Sequence, residues 1–583
     1  MSSAAHGSLL LDSLELPADL QRLEVRQLAA LAAEVRAALI RDVATPERLA
    51  AGLAAVELAI AVHHVFDAFS DRIVWDHGAD SLAHAVLSGR RHPLHGGHCG
   101  TAIGTALGMA VAATRLGEPR RVVAIVGDGA LTAGMAFEGL NHAGALPADM
   151  LVILNDGDPA RSAGGSVLSD RLAQVLSGPL YAQLRASGKR VLRQMPTVRE
   201  LARRSERHLK GMVLPGTMFE ELGFNYIGPL DGHNIGALVA TLRNLKRLRG
   251  PQFLHVLTRK GEPPVAGSLR SGPPGEARAR GGYSQAVGRW LADMAQADPR
   301  IMVVAPCGGA SSGLDEFAQR FPERCLDVSI AQQHAVTLAA GLAVAGLKPV
   351  VAISSTALQR AYDQLIHDVA LQGLPVIFAV SHAGLSAGDP GSDHGTYDLS
   401  YLRCVPNLTI MAPADENECR QMLDTAHGLP GPAVVRFPCG HGPRLPRTAA
   451  AVVSGRGLLC REGGSGLALL SFGALLDAVA DTAERLDATL VNMRFVKPLD
   501  EDLLLSLCAR HRALVTIEDN VIAGGAGAGV LEWLAARGLR IPLLQLGVDG
   551  CGERGVRTSA LAAARLTAAA LGRDIERWWR SLS

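Results

Sequence analysis

The sequence predicts an α/β protein with three doubly wound domains, and three observations support this fold class. The chain has 583 residues, which is more than one hydrophobic core usually serves. Apolar residues make up 48 % of the chain, enough for several packed cores. Short apolar runs alternate with longer segments of helical periodicity, as in parallel sheets that are covered by helices.

The first domain is predicted to occupy residues 1–265. Apolar residues recur with helical spacing in two segments near its start, and uninterrupted apolar runs of strand length follow them. The predicted helices cover 20–39 and 50–66, and the predicted strands cover 121–126, 150–154 and 252–257. We expect these strands to form a parallel sheet.

A linker is predicted over 266–282, where Gly, Pro, Ser and Arg are frequent. The second domain is predicted over 283–445 and the third over 456–583. The predicted strands of the second domain lie at 301–305, 350–353, 376–380 and 408–412, and those of the third at 467–470, 489–491 and 513–517.

Charge and cysteine content argue against several function classes. The formal net charge of +1 provides no electrostatic basis for binding nucleic acid or a membrane surface. The nine cysteines include no Cys-x-x-Cys pair, which argues against a zinc site and favours a reducing compartment. We see neither a signal peptide nor an apolar run of about 18 residues that could span a membrane. The sequence therefore predicts a cytoplasmic protein of enzyme size.

A Gly-Asp-Gly turn is the most informative local feature of the chain. It comprises Gly127, Asp128 and Gly129, and it connects a predicted strand to a helix. Glycines there let backbone N–H groups approach a diphosphate, and Asp128 can reach a divalent cation. A second apolar strand follows and ends at Asn155. Together these segments resemble the motif that binds thiamine diphosphate and magnesium.

Several long segments, in order along nearly the whole chain, carry a wider resemblance. They resemble the 1-deoxy-D-xylulose-5-phosphate synthase family, which belongs to the transketolase class. The segments are 127–142, 212–233, 333–341, 358–369, 398–404, 415–422, 493–500 and 524–527.

This resemblance implies a transketolase-type fold with a diphosphate-binding domain, a pyrimidine-binding domain and a C-terminal domain, in the order of the three predicted domains. It implies thiamine diphosphate and Mg²⁺ as cofactors and a homodimer as the assembly. The family joins pyruvate to glyceraldehyde 3-phosphate with loss of carbon dioxide, and its product feeds isoprenoid biosynthesis.

Two catalytic positions implied by the resemblance carry residues that differ from the family pattern. Gln332 stands where the family has the glutamate that activates the cofactor, and an amide cannot accept a proton as a carboxylate does. Ala79 stands where the family has a catalytic histidine, and His77 nearby is a poor substitute by position. His98 is retained, and the resemblance implies that it serves both catalysis and cofactor binding.

The cofactor positions differ from the family pattern as well. Gly157 replaces an asparagine that ligates magnesium, and Ala357 replaces an aromatic residue that covers the cofactor ring. Asp158 or Asn155 could compensate for the lost ligand if the loop shifts. The resemblance implies a cofactor set of His98, Gly127, Asp128, Gly129, Ala130, Asn155, Gly157 and Ala357, with Asp128, Asn155 and Asp158 for the metal.

Positions for the substrate phosphate are partly retained. His382 and Asp393 replace an arginine and a histidine of the family. The retained residues, which we expect to bind substrate or assist catalysis, are His98, Arg360, Asp389 and Arg436.

The substitutions coincide at one site, whereas the scaffold segments stay close to the family. The sequence therefore predicts that the standard condensation is weak or lost. Three functions remain open: a working synthase, a folded paralogue that acts as a regulator or as a heterodimer subunit beside an active paralogue, and a different enzyme for a small phosphorylated or keto-acid ligand. Cofactor binding separates the first from the other two.

Overall fold

The structure is a computed structural model that forms two compact units, Met1–Pro274 and Gly275–Ser583. One β-sheet lies in the first unit and two lie in the second. The residues that the structure describes are 10–43, 46–67, 69–76, 78, 81–88, 99–118, 120–157, 217–259, 282–306, 313–385, 395–443, 451–550 and 557–582.

The first unit contains a five-stranded parallel sheet in the order β1-β2-β3-β5-β4. The strands predicted at 121–126, 150–154 and 252–257 are confirmed to within two residues at each end. The strands are β1 Arg72–Trp75, β2 Val122–Gly127, β3 Met150–Asp156, β4 Asn225–Asp231 and β5 Gln252–Leu257. The helices are Leu10–Ser13, Val25–Asp42, Pro46–Ala54, Val56–Val65, Leu82–Leu87, Ala102–Leu116, Asp128–Leu131, Gly134–Ala145, Thr217–Glu221 and Ile235–Leu245, with a 3₁₀ turn at Ala18–Arg22.

The helix predicted over 50–66 is wrong as a single element. The chain bends by 45° between Pro46–Ala54 and Val56–Val65. The second helix is buried almost all round, whereas the first buries one side, and a helix that is apolar on every face must lie inside the core. Within the described ranges no single helix is long and apolar enough to cross a membrane, although this bent pair passes on length and composition alone.

The second sheet has seven strands in the order β15-β10-β11-β9-β8-β6-β7. Its strands are parallel except β15, which runs antiparallel to β10. The strands are β6 Ile301–Ala305, β7 Cys325–Asp327, β8 Lys348–Ser354, β9 Ile377–Ser381, β10 Thr409–Met411, β11 Ala433–Arg436 and β15 Phe495–Lys497. The helices nearby in the chain are Tyr283–Ala297, Asp315–Arg320, Gln332–Val344, Ser355–Leu358, Tyr362–Gln364, Asp398–Arg403 and Glu416–Gly428, with 3₁₀ turns at Pro322–Arg324 and Gln359–Ala361 and a π-helix at Leu365–Ala370.

The third sheet has five strands in the order β12-β14-β13-β16-β17, with only β12 antiparallel to its neighbour. The strands are β12 Leu458–Arg461, β13 Leu467–Phe472, β14 Thr489–Asn492, β16 Ala513–Val521 and β17 Leu543–Val548. The helices are Ala480–Arg485, Glu501–Arg510, Ala526–Ala536, Arg557–Ala563 and Ala568–Ser581, with a 3₁₀ turn at Asp477–Val479.

One strand crosses from the third predicted domain into the second sheet. β15 follows β14 in the chain, yet Phe495 pairs with Met411 and Lys497 pairs with Ile410 of β10. The second and third sheets therefore share a strand connection inside one compact unit. The predicted boundaries at 265, 283, 445 and 456 remain predictions.

Candidate functional site

The Gly-Asp-Gly turn lies at the carboxyl edge of the first sheet, where β2 and β3 run side by side. Gly127 ends β2 and pairs with Asn155 near the end of β3. Asp128 begins the helix Asp128–Leu131, and its Oδ1 accepts the N–H of Gly129 at 2.9 Å. A Cβ at Gly129 would meet no atom within 4 Å, so the turn faces open space. The structure thus brings these four residues together at the edge where parallel sheets bind ligands.

Asn155 is already engaged inside the sheet. Its side chain is buried, and its Oδ1 accepts the hydroxyl of Thr258 at 2.9 Å. Oδ2 of Asp156 lies 3.0 Å from Nε2 of the buried His255, whose Nδ1 lies 2.9 Å from the hydroxyl of Tyr226. These contacts join β3 to β4 and β5. In this conformation the side-chain amide oxygen of Asn155 helps to hold the strands together.

Asp76 is a buried carboxylate to which we assigned no role from the sequence. It accepts three backbone N–H groups, from Gly100 at 2.6 Å, Thr101 at 3.2 Å and Ala102 at 3.1 Å. These groups open the helix Ala102–Leu116, where N–H groups have no intrahelical partner. Asp76 and Gly100 lie 24 residues apart in the chain, so no local sequence pattern indicated this contact.

The backbone at Gly100 lies against the segment that follows the Gly-Asp-Gly turn. A Cβ at Gly100 would lie 2.7 Å from Cβ of Ala133 and 3.3 Å from the carbonyl oxygen of Ala130, so only glycine permits this approach. Ala130 follows the turn in the same short helix. The predicted site residues Ala79, His98, Asp158 and Asp389 lie outside the described residues, as do His77 and Asp393.

The implied magnesium set fits the described residues incompletely. Mg²⁺ takes octahedral oxygen ligands, usually with one or two protein carboxylates beside phosphate and water. Asp128 offers a carboxylate, but the oxygen of Asn155 accepts the hydroxyl of Thr258, and Gly157 has no side chain. In the parts of the chain that are described, no group of three or more His, Cys, Asp or Glu side chains is placed to hold a metal ion. We therefore derive no catalytic step through this cofactor.

Gln332 opens the helix Gln332–Val344 in the second unit and is 7 % exposed. Its backbone N–H donates to the carbonyl oxygen of Ile330 at 3.1 Å. The helix contacts the turn Gln359–Ala361, which holds the half-buried Arg360. The position of the predicted activating residue and Arg360 therefore lie on neighbouring elements. The N-terminus of a helix stabilises a negative charge. A carboxylate at position 332 would therefore be kept ionised, whereas the amide of Gln332 carries no charge.

Ala357 lies in the short helix Ser355–Leu358, which follows β8. Its N–H donates to Oγ of Ser354 at 3.4 Å, and the residue is 8 % exposed. It belongs to the same apolar cluster as Ala335 and Val336 of the helix Gln332–Val344. An aromatic ring at this position would have to displace core neighbours, so the alanine is matched to its packing.

His382 follows β9 in a left-handed backbone conformation with φ of +54°. Its Nδ1 lies 3.1 Å from Oγ of Ser381, and the ring is half-buried. Such a conformation is uncommon outside glycine and tends to occur at functional positions. This geometry is compatible with the predicted place of His382 at the substrate site.

Arg436 ends β11 and is 2 % exposed. Its Nε and Nη2 donate to both oxygens of Asp398, and its Nη1 donates to Oδ1 of Asp519 at 2.5 Å. Burial alone would lower the pKa of Arg436, but the two carboxylates hold its pKa well above the ordinary value. Every guanidinium nitrogen is thus occupied by a carboxylate, a structural role that the sequence did not indicate. Phosphate binding by Arg436 remains a prediction.

Glu518 is a buried carboxylate that sequence reasoning missed. Its oxygens accept the N–H groups of Ala526 and Gly527, both at 2.8 Å, at the start of the helix Ala526–Ala536. Burial raises its pKa to about 7, although these N–H groups act in the opposite direction. A Cβ at Gly525 would lie 2.3 Å from Oε2 of Glu518, which explains the glycine-rich segment 524–527. The glycine-rich segment 524–527 is the sequence feature that could have indicated this contact.

Family models match the chain in the order of its sheets. A model described as 1-deoxy-D-xylulose-5-phosphate synthase matches residues 11–96 and 92–258. Models of the transketolase pyrimidine binding domain and of the transketolase C-terminal domain match 282–443 and 455–571. Together with the predominantly parallel sheets, these matches define a protein of the transketolase class with a transketolase-type α/β fold.

Curated relatives identify the family within the transketolase class. A protein named 1-deoxy-D-xylulose-5-phosphate synthase from Thioalkalivibrio sulfidiphilus is 50 % identical over 600 residues, which cover 96 % of this chain and 94 % of that protein. Another of the same name from Thiobacillus denitrificans is 51 % identical over 606 residues, covering 97 % and 98 %. The chain belongs to the 1-deoxy-D-xylulose-5-phosphate synthase family. Among solved structures, a Campylobacter jejuni transketolase is 15 % identical, covers 95 % of this chain and 100 % of that chain, and has a TM-score of 0.45.

Proposed function

We propose that this chain is a member of the synthase family in which the condensation of pyruvate with glyceraldehyde 3-phosphate is weak or lost. The observation that carries the proposal is Gln332, a buried amide at the first residue of its helix, at the position of the family's activating glutamate. A carboxyl group there can share and return a proton, and an amide cannot. Loss of one proton-transferring group typically reduces a rate by about 10² to 10⁴.

Weak binding of thiamine diphosphate and magnesium is the second part of the proposal. The Asn155 oxygen accepts a hydrogen bond from Thr258, and Gly157 has no ligand atom. Asp128 provides the only carboxylate among the described residues of the implied metal set, and its Oδ1 accepts the N–H of Gly129. A cation that must hold the diphosphate with fewer protein ligands binds less tightly, because the remaining positions are filled by water.

A working synthase is the second candidate, and a specific observation favours it. Relatives that bear the synthase name are about half identical over nearly the full length of this chain. A third candidate is a different enzyme on the same scaffold that acts on a small phosphorylated or keto-acid ligand, which the half-buried Arg360 could attract and to which the half-buried His382 could hydrogen-bond.

Homodimerisation is also part of the proposal. The helices Ala102–Leu116 and Gly134–Ala145 pack together, yet Val111 and Phe137 are 38 % and 52 % exposed. We infer that these exposed apolar side chains on adjoining helices belong to an interaction surface. A second copy of this chain is the occupant that the family resemblance implies, and an active paralogue is the alternative.

The experiment compares turnover of the purified full chain with that of two double variants, which share Gly157→Asn and carry the second substitution at neighbouring positions. With pyruvate, glyceraldehyde 3-phosphate, thiamine diphosphate and Mg²⁺, the unaltered chain should show trace product. Gln332→Glu combined with Gly157→Asn should raise turnover, whereas the exposed neighbour substitution Gln333→Glu with Gly157→Asn should not. Rescue of a synthase-deficient bacterium by the unaltered chain at ordinary expression would overturn the proposal in favour of the working synthase.

A further inference from the structure

A cavity of about 370 Å³ lies between the start of the helix Glu416–Gly428 and the third sheet, and none of its lining residues belongs to the predicted cofactor or catalytic set. Its walls come from the start of the helix Glu416–Gly428, from β12 and β14, and from the turn Asp477–Val479. Pockets for small ligands usually measure about 300 to 1,000 Å³ and combine apolar walls with a few placed polar groups. This cavity has both features.

Arg494 is the polar group that marks the cavity as a binding site. Its side chain is 8 % exposed and lines the cavity, and its Nε donates to Oε1 of Glu418 at 2.6 Å. Among the described residues, none accepts a hydrogen bond from its Nη atoms. The backbone of Arg494 is left-handed, with φ of +60°, a conformation that is retained where the surrounding structure requires it. The outer edge of a buried guanidinium is thus available to a ligand.

Glu418 fixes the orientation of this guanidinium. Its Oε2 accepts the N–H of Ala414 at 2.7 Å, and Nδ2 of Asn492 lies 3.0 Å from both carboxylate oxygens. The Asn492 side chain also accepts the backbone N–H of Arg494 at 3.2 Å. Because these partners hold Nε in place, the Nη atoms are pre-organised for the two-point binding of a carboxylate.

The other charges around the cavity decide the class of ligand. Besides Glu418, which Arg494 neutralises, the lining contains the carboxylates of Asp415 and Asp477. Asp415 caps the helix Glu416–Gly428 through Glu418 N–H at 2.7 Å, whereas Asp477 is exposed at the first residue of its turn. A simple anion would be repelled by this excess of negative charge, and an ammonium group would be attracted.

We propose that this cavity binds a small apolar α-amino acid, with its carboxylate on the Nη edge of Arg494, its ammonium group beside Asp477 and its side chain against Leu458, Leu476 and Leu490. These leucines line the cavity and provide the apolar wall. The site lies outside the predicted catalytic residues and does not depend on the proposed function. Its walls come from the helix Glu416–Gly428 and from the third sheet, so an occupant would stabilise the packing of these elements.

Calorimetry on the full chain tests the proposal with three probes of similar shape. L-Leucine carries both charges, 3-methylbutylamine lacks the carboxylate, and 4-methylpentanoate lacks the ammonium group. L-Leucine should bind, and each truncated probe should bind about tenfold more weakly or worse, since each loses a charged hydrogen-bonded contact. Equal affinity for 4-methylpentanoate and L-leucine, or no heat with L-leucine at about 10 mM, would overturn the proposal.

Variants separate the two charged contacts. Asp477→Asn should weaken L-leucine binding about tenfold, whereas Asp481→Asn, an exposed aspartate of the following helix that does not line the cavity, should leave it unchanged. Arg494→Lys keeps a cation beside Glu418 but removes the two Nη atoms that would bind the carboxylate. It should weaken L-leucine binding without changing the fold. Equal binding by the Asp477 and Asp481 variants would contradict the assignment.

A measurement on the unaltered chain avoids the risk that a variant misfolds. Cys460 lines the cavity and is exposed, and Cys404 is exposed outside the lining. L-Leucine should slow alkylation of Cys460, followed by mass spectrometry of its peptide, and should leave alkylation of Cys404 unchanged. Unchanged alkylation of Cys460 at saturating L-leucine would place the ligand elsewhere and overturn the proposal.

Discussion

Arg436 and Asp398 form a buried two-point ion pair, with Nε 3.1 Å from Oδ2 and Nη2 3.0 Å from Oδ1. Arg436 ends β11 of the second sheet, and its remaining nitrogen Nη1 donates to Asp519 in β16 of the third. One cation therefore compensates two buried carboxylates, and Oδ2 of Asp519 has no partner among the described residues. Burial raises the pKa of Asp398, and the arginine opposes this effect.

Removing the cation should be among the most destabilising single changes in the second unit. Arg436→Ala leaves two carboxylates uncompensated in the interior, and we expect the free energy of unfolding to fall by about 3 to 5 kcal/mol. Urea unfolding followed by circular dichroism measures this change. Arg565→Ala is the matched control, because Arg565 makes a similar two-point pair with Asp574 at the surface and should change stability little. Equal effects of both substitutions would contradict the role of burial.

Glu518 should make stability fall as pH rises through neutrality. Burial raises its pKa in the folded state to about 7, against 4.5 in the unfolded chain. The native state therefore holds the proton more tightly, and this stabilisation is complete below about pH 4.5 and lost as the pH rises through about 7. The difference corresponds to about 3 kcal/mol.

Urea unfolding at pH 5 and pH 8 tests this pH dependence. Glu518→Gln removes the titrating group and should reduce the difference between the two pH values by about 2 to 3 kcal/mol, because part of the stabilisation is already lost at pH 5. The exposed Glu484→Gln should retain the original difference. A Glu518→Gln protein with the same pH dependence as the unaltered chain would show that another group titrates.

Restoring a ligand atom at position 157 should strengthen cofactor binding. Gly157→Asn adds an amide oxygen after Asp156, at the end of β3, and we expect thiamine diphosphate with Mg²⁺ to bind about tenfold more tightly in calorimetry. Gly134→Asn, at an exposed position in the same unit, is the control. A dissociation constant in the low micromolar range for the unaltered chain would contradict the prediction that the cofactor binds weakly.

An aromatic side chain at position 357 should lower the stability of the protein, which the family resemblance alone does not indicate. The resemblance implies that Ala357 replaces an aromatic residue that covers the cofactor ring, but Ala357 lies inside the apolar cluster with Val336 and Ala335. We expect Ala357→Phe to lower the free energy of unfolding by about 1 to 3 kcal/mol through overpacking. Thermal unfolding checks this value, and an unchanged midpoint would mean that the site has room for the ring.

The exposed apolar face of the first unit should be required for self-association. Phe137→Asp places a charge in this face, and we expect it to cost association about 2 kcal/mol or more, measured as a shift from dimer to monomer by light scattering. Leu248→Asp, at another exposed apolar residue of the same unit, should leave the mass of the dimer unchanged. A Phe137→Asp protein that remains a dimer would place the interface elsewhere.

Local patterns allowed the sequence to predict most of the strands and the family. Uninterrupted apolar runs predicted β5 and β6 with their observed bounds, because a strand buried on both faces leaves a signal within a few residues. The Gly-Asp-Gly turn was found in the same way, since turn chemistry is encoded by neighbouring residues. Short or half-exposed strands such as β7 and β12 left no such signal.

Only the tertiary structure determined which groups the site residues contact. Thr258 lies 103 residues from Asn155 in the chain, and Asp519 lies 83 residues from Arg436, so no local pattern could indicate that these partners occupy the asparagine oxygen and the guanidinium. The same holds for β15, which leaves its own predicted domain to pair with β10. Residue types are fixed by the sequence, but buried donors and acceptors must find partners wherever packing places them, and that choice depends on the whole fold.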